Sequence, residues 1–450
     1  MMRNEIDMLK GKILTGMLVF TFPLIISNLL QLLFNMADLA IVGRFASDAC
    51  MGAVSATSFI IQVITSIFIG VSIGVNVLVA RLIGEVKREE ISKVIHTSLS
   101  FAIIMGIILT VFGYSTANLS LRLTSCPEDL LDLATTYLKI YYLGMPGVLI
   151  YNYGAAILRA KGDTKRPLYY LLLSGVVNVI LNIVLIVFFG MDVDGVAIAT
   201  VVSQYLSMIL IMIILFRERD EFRFSLNKLN IDAGVLKETL KLGIPAGIQS
   251  CLFSISNLVL QVQINSFGST VVTAMGAAHT LESLCNCVVQ GVALGAMTYV
   301  SQNYGARNYK RIKESIVYAL LIGFVWSTVL TLFGMYLGDF YMSIYSSDPA
   351  IIEAGFLKIK YSMCLYESYM LMQTGASLMR GLGHSKQPTI LCLLGVCGVR
   401  ILYVYTIFQI NPIIENILIT YPLSWIVSCL LIWPPLLKEL KRVKKNLLIS

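Results

Sequence analysis

A dozen segments of this chain run for about twenty residues or more with few or no charged side chains, which leaves few folds open to it. Residues 94–117 and 195–216, for example, contain no Asp, Glu, Lys or Arg. About twenty apolar residues in a helix cross the ~30 Å hydrocarbon core of a bilayer at 1.5 Å per residue. In hydrocarbon every backbone N–H and C=O must find its partner within the segment, and a helix achieves that. Composition agrees, because 57% of the 450 residues are hydrophobic and 13% charged. A water-soluble body of this size would lack the polar surface to cover itself.

Charge clusters and Gly, Pro and Asn breaks predict spans near 15–43, 51–80, 94–117, 131–158, 167–190 and 195–216. Six more are predicted near 242–267, 273–301, 314–338, 353–379, 388–410 and 413–437. The first stretch is too long for a signal-peptide core and reads as a retained span. With loops alternating sides, 28 of the 34 Lys and Arg fall on one side, Arg3, Lys10 and Lys12 among them. The other side holds Arg44, Arg122, Lys358 and Lys360. The positive-inside rule then predicts a multi-pass membrane protein with both termini cytoplasmic. The basic residues form no stripe interleaved with aromatics, which argues against nucleic acid as a partner. Nine cysteines sit in apolar runs, and Cys285 and Cys287 have no second pair to complete a zinc site, so buried free thiols are expected.

The two halves match at an offset of 221 or 222. Pro23 returns as Pro245, Gly70 and Gly74 as Gly291 and Gly295, Gly84 as Gly305, and Pro127 as Pro349. Residues 159–167 (RAKGDTKRP) return as 380–388 (RGLGHSKQP). Each half has an even number of spans, so the copies enter the membrane in the same direction and form parallel repeats about the membrane normal. The expected organisation is all-α: an N-terminal six-helix lobe at 1–216, a polar cytoplasmic linker at 217–241, and a C-terminal six-helix lobe with a basic tail at 242–450. Such repeats suit a secondary transporter, whose path lies between the two bundles. Gly70-x-x-x-Gly74 and Gly291-x-x-x-Gly295 suit close helix packing, and Pro23 and Pro245 permit bends.

Ionisable residues inside spans are costly and therefore informative. Asp38 lies about five residues, ~7 Å, from the end of the first span. Asn178 and Asn182 lie four apart on one face of span five, and Thr200 enters span six at similar depth. One carboxylate with amide and hydroxyl oxygens forms a small-cation or proton site; interhelical polar contact is the plainer reading. In the second lobe Gln249, His279, Glu282, Glu367 and Arg400 are intramembrane, and Gln249, Glu282 and Glu367 are candidates for a substrate cavity. Glu282 is expected to pair with His279 or Arg400, or to face a cavity. Glu367, with Tyr366, Tyr369 and Met370 beside it, is the better cavity acid for a flat cation.

Pro23, residues 35–44 (NMADLAIVGR), 158–164 (LRAKGDT), Asn178 to Asn182, 195–200 (GVAIAT) and 302–307 (QNYGAR) together resemble multidrug and toxic-compound extrusion (MATE) transporters over essentially the whole chain. The resemblance implies two six-helix lobes in a V that export cationic amphipathic compounds in exchange for sodium ions or protons, without an organic cofactor. It also implies that Asp38, Asn178, Asn182 and Thr200 form the ion site of the first lobe, with any sodium bound at Asp38. Some relatives carry a second acid where this chain has Asn182, and some a glutamate in span seven, where residues 243–253 have none. The resemblance, to the bacterial type of the family, also implies a bacterial inner membrane as location; the partners expected are the small cationic substrate and the bilayer, and the chain is expected to be monomeric. The rival transporter reading is a lipid or lipid-linked oligosaccharide flippase, which wants a strongly cationic cavity. An enzyme is not expected: His96, His279 and His384 are scattered, and no G-x-S-x-G or H-E-x-x-H occurs.

Overall fold

A computed structural model describes residues 5–449, so Arg3 lies outside it. The described residues are helical throughout and contain no strand. Three long helices come first, α1 (Ile13–Phe45), α2 (Asp48–Gly84) and α3 (Arg88–Leu123), and then a span in two pieces, α4 (Glu128–Leu143) and α5 (Met145–Lys161). Next stand α6 (Lys165–Ile183), prolonged by a π-helical segment Val184–Phe188, and α7 (Val193–Arg217). The second half has α8 (Ala233–Asn265), α9 (Ser269–Gly305), α10 (Tyr309–Tyr345) and the pair α11 (Pro349–Met363) and α12 (Tyr366–Gly381). It continues through α13 (Lys386–Cys392), a π-helical segment Leu393–Gly398, α14 (Val399–Tyr405), α15 (Ile407–Ile410), α16 (Ile414–Leu418) and α17 (Thr420–Ile449). Ten of the described helices or helix runs are long and apolar enough to cross a bilayer. The divided spans α4–α5 and α11–α12 bring the total to twelve.

The repeat is visible in the helix boundaries. Helices α2 and α9 are each 37 residues long and displaced by 221 at both ends. Helices α4 and α11, α5 and α12, and α6 and α13 begin 221 apart as well. The divided spans solve one problem in the same way twice. Interrupting a helix in hydrocarbon leaves carbonyls without partners. The Thr110 hydroxyl donates to the Tyr142 carbonyl at 2.8 Å, and its repeat counterpart Thr331 donates to Met363 at 3.0 Å. Tyr205 covers the next carbonyl of the first break, that of Leu143, at 2.8 Å.

The helices gather into two compact units. One holds residues 5–6 together with Leu29–Gly247; the other holds Asp7–Asn28 together with residues 248–449. The covalent repeat and the packed units therefore trade two half-helices: the start of α1 packs among second-half helices, and the start of α8 among first-half helices. Glycine makes this trade feasible. In the first unit Gly70 and Gly74 of α2 meet Gly247 and Gly243 of α8, backbone against backbone. In the second unit Gly291 and Gly295 of α9 meet Ile25 and Thr21 of α1. Each glycine pair thus admits close packing, as its spacing suggests, against the first helix of the opposite repeat.

The RAKGDT segment is a helix stop followed by a helix start. Gly162 ends α5 in the left-handed region at φ 102°, its N–H reaching the Arg159 carbonyl, and Asp163 accepts from the N–H groups of Lys165 and Arg166 to begin α6. Glu5, Glu218, Lys161 and Arg166 form a charge network around it, with Lys161 2.7 Å from Glu5 and 2.5 Å from Glu218. Burial opposes ionisation of Glu218, but Lys161 and Arg166 overcome it and hold its carboxyl below the usual range. Gly383 is the repeat counterpart at φ 91°. A Cβ at Gly383 meets open space, whereas one at Gly162 collides with the Ile6 carbonyl. Gly383→Ala is therefore expected to destabilise by about 1 kcal/mol, the backbone cost alone. Gly162→Ala should cost clearly more, and paired thermal melts of the purified variants measure the difference.

The segment between α7 and α8, shorter than the expected linker 217–241 because α8 already begins at Ala233, is tied to α3 within the first unit. His96 donates from Nδ1 to the Ser92 carbonyl at 2.7 Å, accepts at Nε2 from the Ser225 N–H at 3.1 Å, and stacks on Phe224. Thr97 accepts from the Asp232 N–H at 3.2 Å. Lys358, which reads in the sequence as a charge at a span end, is instead buried within α11.

Candidate functional site

Asp38 stands one turn beyond Phe34 on α1. The Phe34 ring lies against Gly175 of α6, where a Cβ would collide with it. That close approach sets the α6 face carrying Asn178 and Asn182 against the carboxylate. The Asn182 amide donates to Asp38 Oδ1 at 2.7 Å. The Asn178 amide, oriented to donate, reaches Oδ1 at 2.7 Å and Oδ2 at 3.2 Å. Both asparagines are buried. Immediately after Asn182 the helix widens into its π-helical segment, a local departure that recurs at functional sites.

The buried Asn182 Oδ1 has no hydrogen-bond partner among the described residues. A buried amide oxygen without a donor is costly, and beside a carboxylate it forms a hard-oxygen pair suited to a small cation or a proton. Thr200 does not bond Asp38: its hydroxyl turns back to the Val196 carbonyl at 3.0 Å. Tyr137 of α4 lies beside Thr200 and Asp38. Sequence reasoning misses Tyr137, because a tyrosine in an apolar run carries no signal until its neighbours are known. It lies in a core with Val42, Val193 and Val196.

In the second unit the expected cavity residues separate. Gln249 accepts from Arg380 Nη2 at 2.6 Å, both side chains buried. Glu367 turns toward α10, where Thr331 and Thr328 lie 3.2 and 3.5 Å from its Oε1. Met370, one turn on, packs over Gly323 of the same helix. Tyr366 and Tyr369 face another way and form an aromatic cluster with Trp425, to which Tyr421 also belongs. The expected grouping of Glu367 with these tyrosines fails because positions 366 and 367 are ~100° apart around a helix. Glu282 pairs with neither His279 nor Arg400. Its partner is Lys358, at 3.4 Å. Arg400 donates to Asn257 at 2.7 Å and Ser424 at 3.1 Å and lies over the Tyr421 ring.

A sequence model of the MatE family matches residues 23–184 and again 245–406, two blocks displaced by the 222 positions of the internal repeat. The chain belongs to the MATE transporter family. The probable multidrug resistance protein YoeA of Bacillus subtilis is 26% identical over 94% of this chain and 93% of its own length. The multidrug export protein MepA of Staphylococcus saprophyticus is 23% identical over 98% of both chains. A solved outward-facing structure of a multidrug resistance MATE transporter superposes with a TM-score of 0.90 at 20% identity, covering 98% of this chain and 99% of its own. The chain is thus a multi-pass membrane protein of a family of multidrug efflux transporters rather than of enzymes, with the twelve-helix repeated MATE architecture.

Proposed function

We propose that this MATE protein is a secondary antiporter of a bacterial inner membrane that exports cationic amphipathic compounds while a sodium ion or proton moves inward. The observation that carries the reading is the Asp38 carboxylate held by two asparagine amides, with the Asn182 carbonyl oxygen left bare beside it. An incoming cation competes for the carboxylate oxygens that the amides hold and draws on the bare oxygen as well. Binding therefore changes the connection between α1 and α6. Exchange follows when ion and substrate favour different conformations, since a ligand shifts an equilibrium only by its differential affinity. The MepA and YoeA names support the substrate class by analogy.

The flippase reading gains one buried cation in Lys358, but Glu282 pairs with it, so the second unit does not present the unneutralised basic cavity that lipid phosphate would need. The test is ethidium transport by the purified protein in liposomes, with sodium and pH gradients imposed separately. Transport driven by one gradient is expected and names the ion. Movement of a fluorescent phospholipid with no dye transport under either gradient would overturn the reading in favour of the flippase.

A further inference from the structure

A lysine buried in a membrane helix needs a reason, because its charge is expensive there and its stem is long enough to reach an interface. Lys358 is 3% exposed, whereas its partner Glu282 keeps 15% of its side-chain surface. The ammonium has three contacts: the Met275 carbonyl at 3.2 Å, Glu282 Oε2 at 3.4 Å, and the face of Tyr421 at 5.8 Å. Glu282 is held only on that one oxygen. Its Oε1 is buried and has no partner among the described residues, and neither has the hydroxyl of Tyr366, which lies within electrostatic reach of it. One carboxylate oxygen and one phenol are therefore unengaged next to the aromatic cluster of Tyr366, Tyr369, Tyr421 and Trp425. A carboxylate among aromatic faces is the chemistry that recognises organic cations. The bare atom is an acceptor, which calls for a cation or a donor and not for an anion. Arg400 does not fill the place, being tied to Asn257 and Ser424, and no ion pair joins it to Glu282 among the described residues.

We propose that Lys358 is a tethered stand-in for the transported cation, occupying Glu282 when no substrate is bound and yielding it when the cationic nitrogen of an aromatic compound arrives. This rests on the efflux reading above and adds to it a substrate-binding carboxylate and its internal competitor. The displaced ammonium keeps the Met275 carbonyl and the Tyr421 face, so exchange costs it one contact of three. When substrate leaves, the lysine returns and spares the carboxylate an unpaired state in a low-dielectric site. Such competition lowers apparent affinity by the fraction of time that Glu282 is already taken.

The test is equilibrium binding of ethidium to the purified full-length protein, followed by fluorescence anisotropy at pH 8 without any gradient. Lys358→Met is expected to bind about tenfold more tightly than wild type. Glu282→Gln should bind at least about tenfold more weakly. Either single variant leaves a buried charge alone and can fail to fold. The double variant Lys358→Met/Glu282→Gln replaces the pair by neutral groups of similar shape, and it is expected to stay folded and bind as weakly as Glu282→Gln. A folded double variant with wild-type affinity would overturn the proposal and leave the pair a purely structural bridge. So would a folded Lys358→Met protein that binds no more tightly than wild type. Absence of ethidium binding to wild type would instead overturn the cationic substrate class itself, and the proposal with it.

Discussion

Asp38→Asn protein is expected to lose gradient-driven ethidium efflux by about 100-fold while remaining folded. That magnitude is the upper range for coupling carried by one interaction between two sites. The substitution keeps the shape of the side chain and an oxygen for the Asn182 and Asn178 amides to bond, so packing between α1 and α6 survives. What disappears is the only negative charge in the group formed by Asp38, Asn178, Asn182, Thr200 and Tyr137. A sodium ion then meets neutral oxygens alone, and a proton has no carboxylate to join. Initial rates in energised cells at matched membrane levels, together with a thermal melt of the purified protein, measure both halves of the expectation. Efflux at the wild-type rate from a well-folded Asp38→Asn protein would sink the assignment of the ion site.

The second large effect is on assembly. Gly70→Leu places a side chain where even a methyl group meets the Gly247 backbone, and neighbouring backbone cannot rotate aside as a flexible side chain can. A cost of about 3 kcal/mol is expected, the upper range for overpacking, so that little monodisperse protein survives extraction from the membrane. Gly276→Leu is the internal control, because a Cβ there meets nothing within 4 Å. Size-exclusion profiles of the two variants should differ sharply. A Gly70→Leu protein that elutes and transports like wild type would show that the α2–α8 contact is not close in the membrane.

Much of the candidate ion site is legible in the amino-acid sequence. Asn178 and Asn182 share a helix face by their spacing, and Asp38 is conspicuous as an acid inside a span. Thr200, read from its position as a member of the group, turns back on its own helix, and the tyrosine beside it is invisible in one dimension. The second unit is less legible. Adjacency along the chain groups Glu367 with Tyr366 and Tyr369, although neighbours in a helix point in different directions. Lys358 reads as a charge at a span end because a basic residue near a predicted boundary normally snorkels. Its partner, Glu282, lies 76 positions earlier in the chain, on a different helix.

The sequence by itself determined the number of spans, their internal repetition and the family, because these depend on the length of apolar runs and the spacing of Gly, Pro and charge along one dimension. Tertiary structure alone decided which face of each helix meets which neighbour, that the starts of α1 and α8 change units, and where each buried charge finds its partner. The physical reason is the solvent. A helix in water declares its buried face by amphipathicity, whereas one bathed in hydrocarbon is apolar all round and leaves its rotation unmarked.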